Sequence, residues 1–159
     1  VSISLYMEKW WEQVLADALR MCADRETVSE QLSVESPWKG GERGNADLYF
    51  DLDGRTILTD AKYKLDESGI GAADAYQLFA YSHTADAPRT GKPDAAAVFY
   101  PVRGAVAGGT SSVLLRVTKP VLHLHLIELP FPSRNDVTTD LAWRSYIERL
   151  ASQIAVALR

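Results

Sequence analysis

Residues 46–64, ADLYFDLDGRTILTDAKYK, place two runs rich in Leu, Tyr, Phe, Ile and Thr on either side of Asp53-Gly54. β-Branched and aromatic residues suit a pleated surface, and Asp-Gly is a favoured pair for a two-residue hairpin turn. The segment is therefore expected to be a β-hairpin. With Asp53 and Gly54 as the turn, Leu52 pairs with Arg55, and counting outward sets Asp47 directly opposite Asp60. Opposed β-carbons on one face lie roughly 4.5–5.5 Å apart. Side chains alternate along a strand, so Lys62 shares a face with Asp60, one step diagonal from Asp47, while Ala61 and Tyr63 form an apolar backing on the other face.

Two like charges opposed on a strand pair destabilise it unless something offsets them, and a divalent cation held between the carboxylates does so. Oxygen-only ligands favour Mg²⁺ or Mn²⁺ over zinc. Such an ion polarises a phosphodiester and lowers the pKa of a bound water, and a nearby lysine steadies developing negative charge. Phosphodiester hydrolysis is the reaction class this chemistry serves. Asp-x-Lys triplets are common, and the competing reading is a solvated hairpin face on which Asp60 and Lys62 weakly neutralise one another. The company of Asp47, in register only because the turn sits where it does, favours a site.

Outward from the hairpin, SVESPWKGGERGN (33–45) is rich in Ser, Pro, Gly and Asn and is expected to be a loop. Before it, residues from about Ser4 to Cys22 read as a helix, with Trp11, Val14, Leu15, Ala18, Leu19 and Cys22 at helical spacing, Lys9, Gln13 and Arg20 opposite, and Ser2 or Ser4 as cap. Glu8 falls one turn before Trp11 and two before Leu15, which sets a carboxylate on the apolar face, where a buried Glu needs a reason. Beyond the hairpin, Ala72 to His83 reads as a second helix. KPDAAAVFYPV and SVLLRVTKPVLHLHLIELPF supply two or three further strands around a glycine-rich GAVAGGTSS loop. Thr139 to Leu158 closes the order as an amphipathic helix carrying Leu141, Tyr146, Ile147, Leu150, Ile154 and Val156. The order expected is helix, hairpin, helix, strands, helix.

A chain of 159 residues, 47% apolar and 24% charged, fits one globular domain. No apolar run approaches the roughly 18 residues of a membrane span, and SISLYMEKWWEQ carries charges where a signal peptide is apolar. One cysteine, Cys22, makes neither an internal disulfide nor a cysteine-rich zinc site. These features point to the cytoplasm and to no membrane partner. The start at Val1 suggests a fragment of a longer polypeptide, its carboxyl-terminal part. A formal net charge of −4 excludes a uniformly basic nucleic-acid binder, although basic residues gathered on one face, or on another subunit, serve phosphate contact equally well.

Ala46-Asp47, a hairpin, Asp60-Ala61-Lys62-Tyr63-Lys64, then Asp74 and Tyr76-Gln77-Leu78-Phe79-Ala80-Tyr81 form a pattern that resembles the PD-(D/E)XK nuclease superfamily, and within it the McrC-like nuclease subunits of modified-cytosine restriction systems. The DAKYK and YQLFAY strings are its specific part. The resemblance covers Ala46 to His83 well, the first helix less so, and the rest only by element order. It implies an α/β restriction-endonuclease-like fold, with a central mixed sheet flanked by helices, and a Mg²⁺-dependent DNA endonuclease in which Mn²⁺ can substitute. Asp47 and Asp60 are then metal ligands and Lys62 the catalytic lysine. Gln77 matches a Gln-x-x-x-Tyr motif and shares a helix face with Tyr81 that suits the active site or DNA backbone, core packing being the alternative for Tyr81. In LYMEKWW, Glu8 is the best match to a helix glutamate that joins the metal site, with Glu12 one turn later as the fallback.

Ala46 stands where the pattern has proline and Asp60 where it often has glutamate; both variants are common in the superfamily. The resemblance further implies a nucleotide-hydrolysing McrB-like motor as partner, a separate methylcytosine-reading module, and dimerisation on the complex, since cutting two strands takes two sites. No GxxxxGK[ST] loop occurs here, so nucleotide hydrolysis belongs elsewhere. A RecB-like repair nuclease and a non-catalytic domain that keeps the fold as a scaffold remain alternatives; retention of Asp47, Asp60, Lys62 and Gln77 favours activity. Lys39, Arg43 and Lys64 are candidates for phosphate contact, a plain solvated role being the alternative. His123 and His125 alternate in VLHLHLIEL without a third ligand at a recognisable spacing, which reads better as satisfied or exposed strand histidines than as a zinc pair.

Overall fold

The computed structural model describes residues 3–36, 38–63, 72–84, 92–104, 111–116 and 122–159. Helix α1 (Ile3–Cys22) leads to strand β1 (Ser29–Val34), the hairpin strands β2 (Gly44–Leu52) and β3 (Arg55–Ala61), and helix α2 (Ala72–Thr84). Strands β4 (Ala95–Val102), β5 (Ser111–Arg116) and β6 (Leu122–Pro130) follow, then a short 3-10 turn (Arg134–Val137) and helix α3 (Asp140–Leu158). Thr139 caps α3, its hydroxyl accepting the Ala142 N–H at 3.1 Å. Ser4 lies inside α1, and Ser2 falls outside the described residues, as does most of the glycine-rich loop. Among the described residues no helix is long and apolar enough to cross a membrane.

One six-stranded mixed sheet has the order β1-β2-β3-β4-β6-β5. The β1-β2-β3 meander is antiparallel, β3, β4 and β6 run parallel, and β5 closes the far edge antiparallel to β6. Parallel β4 sits between covered faces, and its AAAVF stretch is buried throughout, as expected of a strand with helices on both sides. On one face, Trp11, Leu15 and Leu19 of α1 and Tyr146, Leu150 and Ile154 of α3 pack on Leu48, Phe50, Leu52, Ile57, Phe99 and Ile127. On the other, Leu78 of α2 meets Val34, Tyr49, Leu58, Ala96 and Val98. Each fully buried large apolar side chain contributes roughly 1.5–3 kcal/mol, so the two helices on the first face carry most of the layer's cohesion.

Three expectations change. Strand β1 has no counterpart in the expected order: SEQLSV is exposed except at Leu32 and Val34, and an edge strand of that composition exists by pairing with β2 rather than by its own pattern. It takes Ser33 and Val34 out of the expected loop. Leu141 and Val156 of α3 are 76% and 74% exposed. The buried stripe runs Tyr146, Ile147, Leu150, Ile154, Leu158, and Val156 lies about 200° round the helix from Ile154. Glu8 is exposed as well, its carboxylate in solvent and not in the core.

Candidate active site

Asp53 and Gly54 both adopt positive φ, 52° and 77°, the geometry of a type I′ turn, and Gly54 tolerates this because it lacks a β-carbon. The register follows as expected, Leu52 pairing with Arg55 and the ladder continuing to Leu48 and Thr59. One step further, at the open end of the hairpin, the Asp47 carboxylate takes the N–H of Ala61 at 2.7 Å through Oδ2. The N–H of Lys62 bonds the Phe99 carbonyl at 2.9 Å, tying the end of β3 to β4.

Asp60 is 4% exposed, and Lys62 Nζ lies 2.7 Å from its Oδ2 and 3.6 Å from Oδ1 of Asp74 in the first turn of α2. That buried oxygen has the ammonium as its close partner, a charge-assisted contact. Burial and then the neighbouring Asp47 push the Asp60 carboxyl up to about 7, with Lys62 offsetting part of the rise. Burial works against the charge of Lys62, but Asp60, Asp74 and Asp47 outweigh it and hold the ammonium above its ordinary pKa. A lysine so surrounded stays charged.

Two further residues extend the site: Glu12, expected as the fallback to Glu8, and Gln31, which the sequence does not single out. Glu12, half-buried on α1, has its carboxyl raised by burial, by Asp60 and by Glu8, with Lys9 and Gln31 opposing. Gln31 of β1 has φ +54°, a backbone conformation rare for a residue with a side chain. Its ladder neighbours pair as Glu30 with Leu48 and Leu32 with Ala46, which leaves Gln31 facing Asp47. From there its Nε2 donates to Oε2 of Glu12 at 3.3 Å and to Oδ1 of Asp47 at 3.4 Å. Glu12, not the exposed Glu8, is thus the α1 acid linked to the hairpin. Gln31 sits in a polar stretch with no periodicity and leaves no signal in the sequence.

Asp74, Gln77 and Tyr81 follow one another at helical i, i+3, i+7 spacing, so the lysine's second partner and the Gln-x-x-x-Tyr pair share a face of α2. Gln77 Nε2 donates to the Tyr81 hydroxyl at 2.9 Å, and the Tyr81 ring packs against Gly44 at the start of β2. Among the described residues no hydrogen bond joins Gln77 to Asp47, Asp60 or Lys62. Arg43 is exposed and paired with Glu35 at 3.1 Å, Lys39 is exposed, and Lys64 lies outside the described residues. His125 is buried with neither ring nitrogen partnered, and burial, then Arg55 and His123, lower its pKa. It is thus neither satisfied nor exposed, while its ring neighbour His123 is exposed.

The donor set suits a small hard cation. Among the described residues no three or more His, Cys, Asp or Glu side chains form a closed metal cage. Mg²⁺, however, is ordinarily bound through one or two carboxylates, completed by water and substrate phosphate. Asp60 offers a buried carboxylate beside a second one, and a divalent charge there would offset the burial and the neighbouring Asp47 that raise its pKa.

Fold and site together define a mixed α/β domain with helices on both faces and an acid–lysine centre at the open end of a hairpin. The chain belongs to the family described as McrBC 5-methylcytosine restriction system component, which matches residues 1–95 and so includes α1, the hairpin and α2. No curated protein matches it.

Proposed function

We propose that this chain is the Mg²⁺-dependent DNA-cutting domain of a modified-cytosine restriction system, a nuclease of the PD-(D/E)XK class. The observation that carries the reading is Asp60: a buried carboxylate, next to Asp47 on the paired strand, with a charged lysine at 2.7 Å. Two carboxylates crowded around one lysine in a buried position are costly and are retained where chemistry uses them. Membership of the McrBC family supports the same direction.

Asp47 and Asp60 would hold the ion, with Glu12, joined to Asp47 through Gln31, as a further acid. When bound, Mg²⁺ supplies Lewis-acid polarisation of the phosphodiester and a water of lowered pKa. Lys62, held charged by Asp60 and Asp74, is placed to offset negative charge gathering on phosphoryl oxygens. Gln31 keeps Glu12 and Asp47 from drifting apart by bonding both. The hydrogen-bonded Gln77–Tyr81 pair presents polar groups for the DNA backbone from the α2 face that carries Asp74. A net charge of −4 gives the domain little attraction for DNA, so a McrB-like motor is the partner expected to bring the duplex to it.

Calorimetric titration of Mg²⁺ and Mn²⁺ into the wild-type domain and into Asp60→Ala, followed by plasmid cleavage at low salt with the motor partner, tests the proposal. Binding and cutting by wild type, both lost in the variant, is the expected result. Equal behaviour of the two proteins, without uptake or cleavage, means that the fold serves as a scaffold.

A further inference from the structure

Of the four tryptophans, three are drawn into the fold: Trp11 is fully buried, and Trp10 packs on Phe131 and on Trp143. Trp38 is 68% exposed. It belongs to the loop 35–43, which leaves the sheet from the paired residues Val34 of β1 and Gly44 of β2. That pair lies at the open end of the hairpin, and Gly44 precedes Asp47 by three residues, roughly 10 Å of strand. The loop is also rooted on the face of the sheet that α2 covers: Val34 is buried in one layer with Leu78, and the Tyr81 ring packs on Gly44. Asp74, Gln77 and Tyr81 form one row on α2, so the row that begins at the ion pair with Lys62 ends at the root of the loop.

The exposed ring is carried by a built turn. The Gly41 N–H donates to the Trp38 carbonyl at 3.2 Å, and Gly40 takes φ +80°, which a type II turn requires at its third residue and which glycine adopts without strain. The Trp38 N–H donates to the Ser36 hydroxyl at 3.4 Å. A β-carbon at Gly41 would collide with that hydroxyl and with the indole Nε1, so glycine is what lets the chain close on the edge of the ring. Most of the ring stays in solvent. The charges of the loop sum to zero, with Arg43 paired to Glu35, while Lys39, next to the indole, is exposed with no ion pair among the described residues. Trp38, Lys39, Gly40 and Arg43 border a shallow hollow of about 440 Å³. An indole fixed in solvent beside an ammonium suits a ligand that couples a flat ring to an anion, as a nucleotide does.

We propose that Trp38 is a stacking platform for one unpaired base of the DNA brought to the acid–lysine centre, with Lys39 against a neighbouring phosphate. Every base has a π-face, so the platform is indifferent to sequence. In an intact duplex both faces of a base are covered by its neighbours, and uncovering one costs least where the strand is already unpaired. The platform therefore prefers single-stranded or frayed DNA. Because the loop is neutral, stacking carries the contact and long-range attraction adds little. This inference rests on the nuclease reading for its choice of ligand but not for its test.

The experiment titrates wild type, Trp38→Ala, Trp38→Phe and Lys39→Ala with a short labelled single strand, its duplex and an abasic strand of equal length, at low salt with EDTA. Anisotropy of the label reads affinity, and protein emission reads stacking. Wild type is expected to bind the single strand more tightly than the duplex or the abasic strand, with its tryptophan emission quenched. Trp38→Ala should weaken single-strand binding by about fivefold to a hundredfold at an unchanged melting temperature, because the ring it removes is exposed. Trp38→Phe should keep most of the affinity and lose the quenching, since the other tryptophans lie in the fold. Lys39→Ala should flatten the slope of log affinity against log salt by about 0.7, one phosphate contact on a single strand. No measurable affinity of wild type, undiminished affinity in Trp38→Ala, or equal binding of the abasic strand overturns the proposal. So does a Trp38→Ala protein that binds DNA normally but loses the motor subunit, because the indole is then a protein contact. Trp38-dependent binding together with absent metal-dependent cleavage upholds the platform and rejects the nuclease reading alone.

Discussion

Replacing Asp60 by Asn in metal-free protein is expected to stabilise the fold at about pH 8 and to lose that advantage near pH 4. Asp60 has its carboxyl pushed from 3.8 up to about 7, first by burial and then by Asp47. The folded state therefore holds the proton more tightly than the unfolded chain. The corresponding stability is complete below the ordinary carboxylate pKa and is lost as pH rises through about 7. About three pH units at roughly 1.4 kcal/mol each put the cost of ionising Asp60 near 4 kcal/mol. Asparagine removes that charge at constant shape but leaves Lys62 with Asp74 alone at 3.6 Å and adds an amide that must find acceptors. The net gain at pH 8 is then about 1–3 kcal/mol, or roughly 3–10 °C in Tm for a domain of this size.

Urea denaturation of both proteins in EDTA, repeated from about pH 4 to pH 8, reads the difference directly. The gap should open in favour of the variant as pH climbs through the raised pKa. A gap that is flat with pH, or a variant less stable than wild type at pH 8, refutes the reasoning, because Asp60 would then be a satisfied carboxylate. Saturating Mg²⁺ supplies the converse arm: at a hundredfold excess over Kd a bound ion adds about 2.7 kcal/mol, to wild type but not to the variant.

Gln31→Gly should raise stability by up to about 1 kcal/mol, since glycine accepts φ +54° without strain, while Mg²⁺ affinity measured by calorimetry falls with the loss of the amide that spans Glu12 and Asp47. Gly44→Ala drives a methyl into the Tyr81 ring, and a loss of about 1–3 kcal/mol in urea midpoint analysis is expected, together with disruption of the Gln77–Tyr81 bond visible in side-chain NMR. Tyr146→Phe deletes the hydroxyl bonded to the Pro130 carbonyl and should cost about 1 kcal/mol in thermal melts, with the aromatic packing against Trp143 kept.

The centre was legible where its parts lie on one hairpin. Asp53-Gly54 is a local signal, and once the turn is placed, strand parity alone carries Asp47, Asp60 and Lys62 to their positions. Parity says nothing about depth, however, and the burial that gives Asp60 its unusual proton affinity comes from α1, α2 and β4 closing over the end of β3. The same distinction separates Glu8 from Glu12. A helical wheel ranks them by angle to the apolar stripe and treats them almost alike, whereas the edge strand β1 bonds α1 at Glu12, Gln13 and Arg20, beyond Glu8, and Gln31 reaches Glu12 across 19 positions of sequence. Strand β1 is unreadable for a related reason: with four of its six residues exposed, its pairing with β2 holds it, and pairing is a property of two segments. Chemistry confined to a hairpin can be counted from its turn; chemistry assembled across layers becomes visible only through a conflict in the folded chain, here a positive φ at Gln31 and a proton held too tightly at Asp60.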